Sequence, residues 1–381
     1  MDTENFAISN ARIVLADRVV KGWVEVEDGR IAEIGKGALP GTSLDFEDDY
    51  LLPGLIELHT DHLEAHVEPR PKVHWDMKAA VLAYDAQIAA SGITTVFDSL
   101  RVGALTNRDG VSKSLHGLGD AIAELRDAGL LRADHLTHLR CEIATPDVID
   151  EASAYMRKRP AQLLSLMDHT PGQRQFRDME KMRTYYQRHG LTSDADFAAF
   201  VVERMELHEE YAHKHRRALV ELAHGCGAAL ASHDDATLEQ VAEAIADGVS
   251  IAEFPTTLEA AEASRGAGIK VMMGAPNLVR GGSHSSNVAA EDLARAGSLE
   301  ILSSDYVPAS LLMAAFELPR RVETITLPEA IATVSRNPAQ ATGLKDRGEI
   351  APGLRADLIR VAVRDGAPAV RRAWKAGERV L

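Results

Sequence analysis

Residues 51–62 read Leu-Leu-Pro-Gly-Leu-Ile-Glu-Leu-His-Thr-Asp-His, an apolar run that ends in His59, Asp61 and His62. Strand side chains two residues apart share one side, so His59 and Asp61 leave the sheet together. In α/β proteins the C-terminal ends of the strands carry the chemistry. An imidazole and a carboxylate side by side there suit a divalent cation. Glu142, His169, His233 and Asp305 close apolar stretches in the same way. These six residues are candidate ligands for two divalent ions with one carboxylate bridging. Ions held close together share a hydroxide and make it nucleophilic near neutral pH. Asp305 is the expected acceptor of its proton, and His233 is expected to act in catalysis as well as in ligation. Packing explains such a set poorly, because buried charges need partners. Asp234 and Asp235 stand just before Ala236-Thr237-Leu238 and read as caps of the next helix.

A second group is basic: Arg70 and Lys72 in Glu68-Pro69-Arg70-Pro71-Lys72, then Arg101, Arg174, Arg177 and Arg280. Arg280 begins Arg280-Gly281-Gly282-Ser283-His284-Ser285-Ser286. Glycines, hydroxyls and an arginine ahead of a helix form an anion cradle, and guanidinium forks suit phosphate. A surface charge is the ordinary reading of any single arginine. Arg174 and Arg280, each beside Gly, Ser or Gln in a strand-end loop, are the stronger candidates. Ser283, His284, Arg70 and Lys72 complete the expected substrate contacts.

Positioning these groups takes a parallel sheet. Apolar segments end near Asp61, Asp98, Glu142, His169, Asp234, Phe254, Gly274 and Asp305, and helical patterns over 112–129, 237–247 and 327–335 lie between them. Eight such repeats fit a closed (β/α)8 barrel. Both ends of the chain read as β-structure: Val24–Ile34 holds an Asp28-Gly29 hairpin signal, and 348–359 and 369–380 match its style. The expected organisation is an α/β protein. A small β-sandwich comes from 1–50 plus 345–381, and the barrel spans 51–344 with a long insertion near 170–225. The second half of that insertion, 196–225, reads as a helix with a charged face whose His208, His213 and His215 are solvated.

The 381 residues suit a barrel of ~250 residues plus a satellite. Lys plus Arg is 42 against 57 Asp plus Glu, a net charge of −15. That balance argues against nucleic acid as a partner, yet local basic clusters still admit an anionic small molecule. Cys141 and Cys226 offer neither a disulfide framework nor a thiolate metal site. No apolar run approaches the ~20 residues that span a membrane, and the acidic start lacks a signal-peptide pattern. The expected location is therefore the cytoplasm, and a homodimer is the default assembly.

Pro53-Gly54-Leu55-Ile56-Glu57-Leu58-His59-Thr60-Asp61 resembles the first-strand signature of the amidohydrolase superfamily, and 348–358 resembles its closing signature. That superfamily usually shows His-x-His on the first strand; Asp61 takes the second position here. The departure fits one branch, the triphosphate diphosphatases of the carbon–phosphorus lyase pathway. Pro69–Lys72, Ser91–Val96, Leu139–Glu142, Ser165–His169, Ala231–Thr237, Ile251–Thr257, Met273–Val288 and Leu302–Tyr306 are all similar to that branch. The resemblance covers nearly the whole chain. It implies a barrel with a β-sandwich and divalent metal ions, zinc first, with manganese or iron as alternatives. It also implies His59, Asp61, Glu142, His169, His233 and Asp305 as metal residues. The implied substrate is a ribose 1-alkylphosphonate 5-triphosphate, hydrolysed to its 5-phosphate and diphosphate. The alternative is a C–N amidohydrolase or deaminase of the same superfamily. Counted along the chain, His169 and His233 fall on the fourth and fifth strands. The superfamily usually draws these ligands from the fifth and sixth.

Overall fold

The computed structural model describes residues 5–39, 41–103, 115–174, 182–183, 193–283 and 287–381. Short polar turns between apolar runs divide the strands into two sheets. The first holds β1 (Phe6–Val14), β2 (Val19–Glu27), β3 (Arg30–Lys36), β4 (Leu44–Asp45) and β5 (Tyr50–Pro53). The second holds β6 (Leu55–Thr60), β7 (Ile93–Val102), β8 (Asp134–Glu142), β9 (Leu163–Met167), β10 (Ala229–His233), β11 (Ile251–Glu253), β12 (Lys270–Gly274) and β13 (Ile301–Ser303). The chain returns to the first sheet with β14 (Leu358–Arg364), β15 (Ala367–Lys375) and β16 (Glu378–Arg379).

In the first sheet the order is β16-β15-β14-β5-β1-β2-β3, with β4 beside β1. Asp28 (φ 49°) and Gly29 (φ 73°) form the β2–β3 turn, the left-handed pair that a two-residue hairpin requires. Ile8, Ile13, Val24, Phe46, Leu358 and Trp374 belong to this sheet's own core. β5 pairs with β14, so Tyr50–Pro53 still belongs here. The chain crosses into the second sheet at Gly54, where a Cβ would lie 2.1 Å from Oγ1 of Thr94.

The second sheet runs β6 to β13 in sequence order, each neighbour parallel. Its ends meet: Asp61 N–H donates to the Asp305 carbonyl (2.9 Å) and Asp305 N–H to the His59 carbonyl (3.1 Å). The eight strands thus close into a (β/α)8 barrel. Ile56, Phe97, Leu163, Ala231, Ile251, Met272 and Ile301, from different strands, form one apolar cluster, the packed interior layer of such a barrel. The helices cover the outside. Thr237, Thr257 and Thr326 cap the helices that start at Leu238, Leu258 and Leu327, each side chain accepting from the backbone N–H three residues on. Among the described residues no helix is long and apolar enough to cross a membrane.

The three helical patterns appear as Leu115–Asp127, Leu238–Ala246 and Leu327–Ala332; residues 112–114 lie outside the described residues. The long insertion contains the helix Asp194–Leu207, a π-helical turn His208–Ala212 and the helix His213–Cys226. His208 is half-buried and His215 buried, so neither is solvated as expected. Nδ1 of His208 lies 3.1 Å from Asp168, and buried His215 meets the Ile143 carbonyl at 3.1 Å. His213 is exposed.

Candidate metal centre

Strand ends of the barrel converge on one cluster of imidazoles and carboxylates. His59 comes from β6, Glu142 from β8, His233 from β10 and Glu253 from β11, while His169 follows β9. The His59 and His233 rings stack with centroids 5.6 Å apart, and His169 meets His233 edge-on at 5.7 Å. Phe254 packs edge-on against both His59 (4.9 Å) and His233 (5.5 Å), fixing the planes of the two rings.

Carboxylates orient the imidazoles. Oε2 of Glu253 lies 3.0 Å from Nδ1 of His233. A carboxylate only accepts, so Nδ1 carries the proton and Nε2 keeps its lone pair. Burial pushes the His233 pKa down to about 3, so the ring is neutral. Glu142 grips His169 twice, accepting from its backbone N–H at 3.0 Å and from Nδ1 at 2.6 Å. Burial opposes the charged form of His169, but Glu142 outweighs it and the pKa rises. Glu57 accepts the His59 N–H and the Ser304 N–H, each at 2.6 Å, and so ties the first strand to the last. Burial raises its pKa to about 8.

The donors fit a cation. His169, His233 and Asp234 each present one ligand atom within 4.8 Å of the others, and so do His59, His138 and Glu253. Nδ1 of His59, Oε1 of Glu253 and Oδ2 of Asp234 are buried with no hydrogen-bond partner. Yet Nδ1 of His59 faces Oε1 of Glu253 at 3.3 Å. Lone pairs turned toward one another without a shared proton are what a divalent ion resolves. His138 is more self-contained, with Nδ1 on the Leu58 carbonyl and Nε2 on Oγ of Ser165, both at 2.9 Å. Asp234 (φ 57°), Phe254 (φ 53°) and Asp305 (φ 55°) all hold left-handed backbone at this rim. Such strain gathers at functional sites.

The expected six residues are distributed as follows. His59, Glu142, His169 and His233 sit in the cluster just described. Asp61 takes an ion pair from Arg140. Burial pushes its carboxyl up, but Arg140, His59 and Arg101 outweigh that and hold it below the usual carboxylate range. Asp305 lies across the seam from Asp61, and its pKa is raised to about 6 by burial and by that neighbour. His169 and His233 do follow the fourth and fifth strands. The sixth contributes Glu253, a carboxylate in place of an imidazole.

Several expectations are corrected. Asp234 and Asp235 do not cap the next helix, because Thr237 does. Asp235 instead pairs with Arg174, whose guanidinium also donates to the His233 carbonyl at 2.9 Å. Arg174 is buried and committed to those partners, so it braces the end of β10 instead of reaching for phosphate. Arg280 lies ten residues ahead of the next helix, Ala290–Arg295, and not at its N-terminus. It ends the helix Ala275–Arg280, which Gly281 closes in left-handed backbone (φ 80°). Its side chain reaches the Tyr306 hydroxyl at 3.4 Å on the exposed rim. Arg70 and Lys72 are exposed on the turn after the helix His62–Val67 that follows the first barrel strand. Ser283 is half-buried near Arg280; Arg177 and His284 lie outside the described residues. His62 turns away to the Tyr306 carbonyl (3.1 Å) and Gln87 (2.9 Å).

Sequence reasoning passed over Glu253, Asp234, His138, Arg140 and Glu57. Glu253 was detectable, since it ends the apolar run Ile251-Ala252; reading that strand on to Phe254 hid it. His138 and Glu57 lie inside strands, and no local pattern separates them from ordinary core polar groups.

Comparison with known proteins identifies the family and the fold. An amidohydrolase family model matches residues 86–380. The alpha-D-ribose 1-methylphosphonate 5-triphosphate diphosphatase of Escherichia coli is 46% identical over 98% of this chain and 100% of its own length. An imidazolonepropionase of Streptomyces griseus is 24% identical over 98% and 93%. Among solved structures, N-isopropylammelide isopropylaminohydrolase from Burkholderia multivorans superposes with a TM-score of 0.65 at 18% identity, covering 98% of this chain and 97% of that one. N-acetyl-D-glucosamine-6-phosphate deacetylase from Mycobacterium smegmatis gives 0.63 at 17%, covering 99% and 100%. The chain belongs to the amidohydrolase family.

Proposed function

We propose that this protein is a metal-dependent diphosphatase that hydrolyses a ribose 1-alkylphosphonate 5-triphosphate to the 5-phosphate and diphosphate. The observation that carries this reading is the full-length 46% identity to a protein named for that reaction on the methylphosphonate. The net reaction adds one water across the first anhydride link of the triphosphate; the P–O bond breaks and diphosphate leaves with the electron pair.

His59, His169, His233, Asp234 and Glu253 would hold two divalent ions, with Glu142, Asp61 and Asp305 beside them. A nitrogen and oxygen donor set without thiolate suits zinc first, and manganese or iron next. Such ions supply Lewis acidity toward phosphoryl oxygens and make water nucleophilic near neutral pH. The chain's own groups do the rest. Glu253 and Glu142 fix imidazole orientation, as carboxylates behind ligating histidines do. Asp305, across the seam from Asp61, accepts a proton from water and passes it to solvent. Arg280 on the rim, with Arg70 and Lys72 on the neighbouring loop, meets the outer phosphates or the phosphonate. Phosphoryl transfer needs positioning and charge neutralisation more than covalent help, and a rim of cations above a metal pocket provides both.

The test is turnover of the triphosphate by protein stripped with chelator and then reloaded with each metal, beside a panel of amides and cyclic imides. Metal-restored release of diphosphate with no amide turnover is expected. Amide turnover without phosphate release would overturn the reading.

A further inference from the structure

We infer that Arg140 grips the phosphoryl group under attack, a role that rests on the diphosphatase reading above. Arg140 lies on β8 and projects among the proposed ligands, 6% exposed. One of its NH groups pairs with Oδ1 of Asp61, while Nε is buried and has no partner. A guanidinium carries five donors in a fixed fork, so Asp61 holds this one in place without satisfying it. The fork is thus oriented beforehand, with a buried donor left over, beside the cluster of imidazoles and carboxylates. Its charge is felt most at His59 and less at His169, Asp234 and Asp305, and its partner Asp61 hydrogen-bonds through its backbone to Asp305 at the barrel seam.

The other arginines near the barrel mouth are differently placed. Arg101 pairs with Glu64 through Nε at 2.8 Å. Arg174 is held by Asp235. Arg280 is exposed on the rim. A triphosphate brings several negative charges into a pocket already rich in carboxylates, and an arginine fork accepts two phosphoryl oxygens at once. A cation fixed there before substrate arrives needs no reorganisation at the moment of reaction.

The experiment compares metal-loaded wild type with Arg140→Ala and Arg140→Lys. It measures bound metal, kcat and KM on the triphosphate, inhibition by inorganic diphosphate, and rescue by guanidinium at a non-denaturing concentration. Expected is full metal in both variants and a fall in kcat of about 100-fold for Arg140→Ala. Added guanidinium restores part of the loss, and diphosphate inhibits less well. Arg140→Lys keeps the charge but not the fork, so it too keeps metal and loses activity; it carries the test if Arg140→Ala does not fold. Variant rates within threefold of wild type overturn the role. So does a loss that tracks missing metal and ignores guanidinium, which would make Arg140 only a support for Asp61. Wild type that releases no diphosphate overturns the diphosphatase reading itself, and this role with it.

Discussion

Oε2 of Glu253 lies 3.0 Å from Nδ1 of His233, and the two residues close adjacent parallel strands at the same register. The other oxygen of the same carboxylate faces Nδ1 of His59 at 3.3 Å. One buried side chain therefore orients one imidazole and presents its free oxygen to the other. Removing a carboxylate behind a ligating histidine costs about 10–100-fold in metal affinity. Glu253→Ala should lose metal on desalting where wild type retains it, measured by elemental analysis. It should recover turnover only at raised metal concentration. Wild-type metal content in Glu253→Ala would remove Glu253 from the centre.

Asp305→Asn should lose less activity than His59→Ala. Diphosphate is already a good leaving group, so proton transfer through Asp305 contributes less than the scaffold that His59 helps to build. The comparison is kcat at saturating metal, and equal losses would contradict it.

Arg174 and Arg280 should separate cleanly. Arg174→Gln leaves Asp235 buried and unpaired, and breaking a buried pair costs about 3–5 kcal/mol. Denaturant unfolding should report that loss. Arg280→Gln is a rim substitution and should stay within about 0.5 kcal/mol of wild type, while KM for the triphosphate rises. The reverse pattern would return Arg174 to the substrate.

Seven of the eight strand ends, to within two residues, and the closed barrel were legible because apolar runs with period and turn residues carry that information locally; β7 runs on to Val102 past the expected Asp98, and 348–357 is turn and loop ahead of β14. The position of His59 near the end of the first barrel strand was legible too; Asp61 lies one residue past that strand, where the two-residue spacing no longer fixes a shared side. The roles of Arg174 and Asp235 were not. Both look like loop charges, and only the approach of two distant segments makes them partners. Glu253 was blurred by a strand boundary one residue off. His208 meets Asp168 from a segment forty residues away, a partner that the helical pattern itself gives no sign of.

A network outside the metal centre gives a pH prediction. Nδ1 of His135 lies 3.0 Å from Asp98, and Nε2 lies 3.3 Å from Asp85. Burial opposes the charge on His135, but Asp98 and Asp85 outweigh it and raise the pKa to about 9 from an ordinary 6.5. The folded state therefore binds a proton that the unfolded state has released. Stability from this group is complete below about pH 6.5 and is lost as pH rises through about 9. The gap corresponds to roughly 3 kcal/mol. Urea unfolding at pH 6 and pH 9.5 should show that decline in wild type and a smaller one in His135→Gln. Parallel declines would mean that His135 is neutral in the fold.

Phosphorus NMR of the metal-loaded enzyme with ribose 1-methylphosphonate 5-triphosphate reads the reaction bond by bond. Diphosphate and the 5-phosphate are expected in equal amounts, with the phosphonate still bonded to ribose and no reaction in chelator. Orthophosphate with a 5-diphosphate, or an untouched triphosphate at full metal occupancy, would contradict the diphosphatase reading.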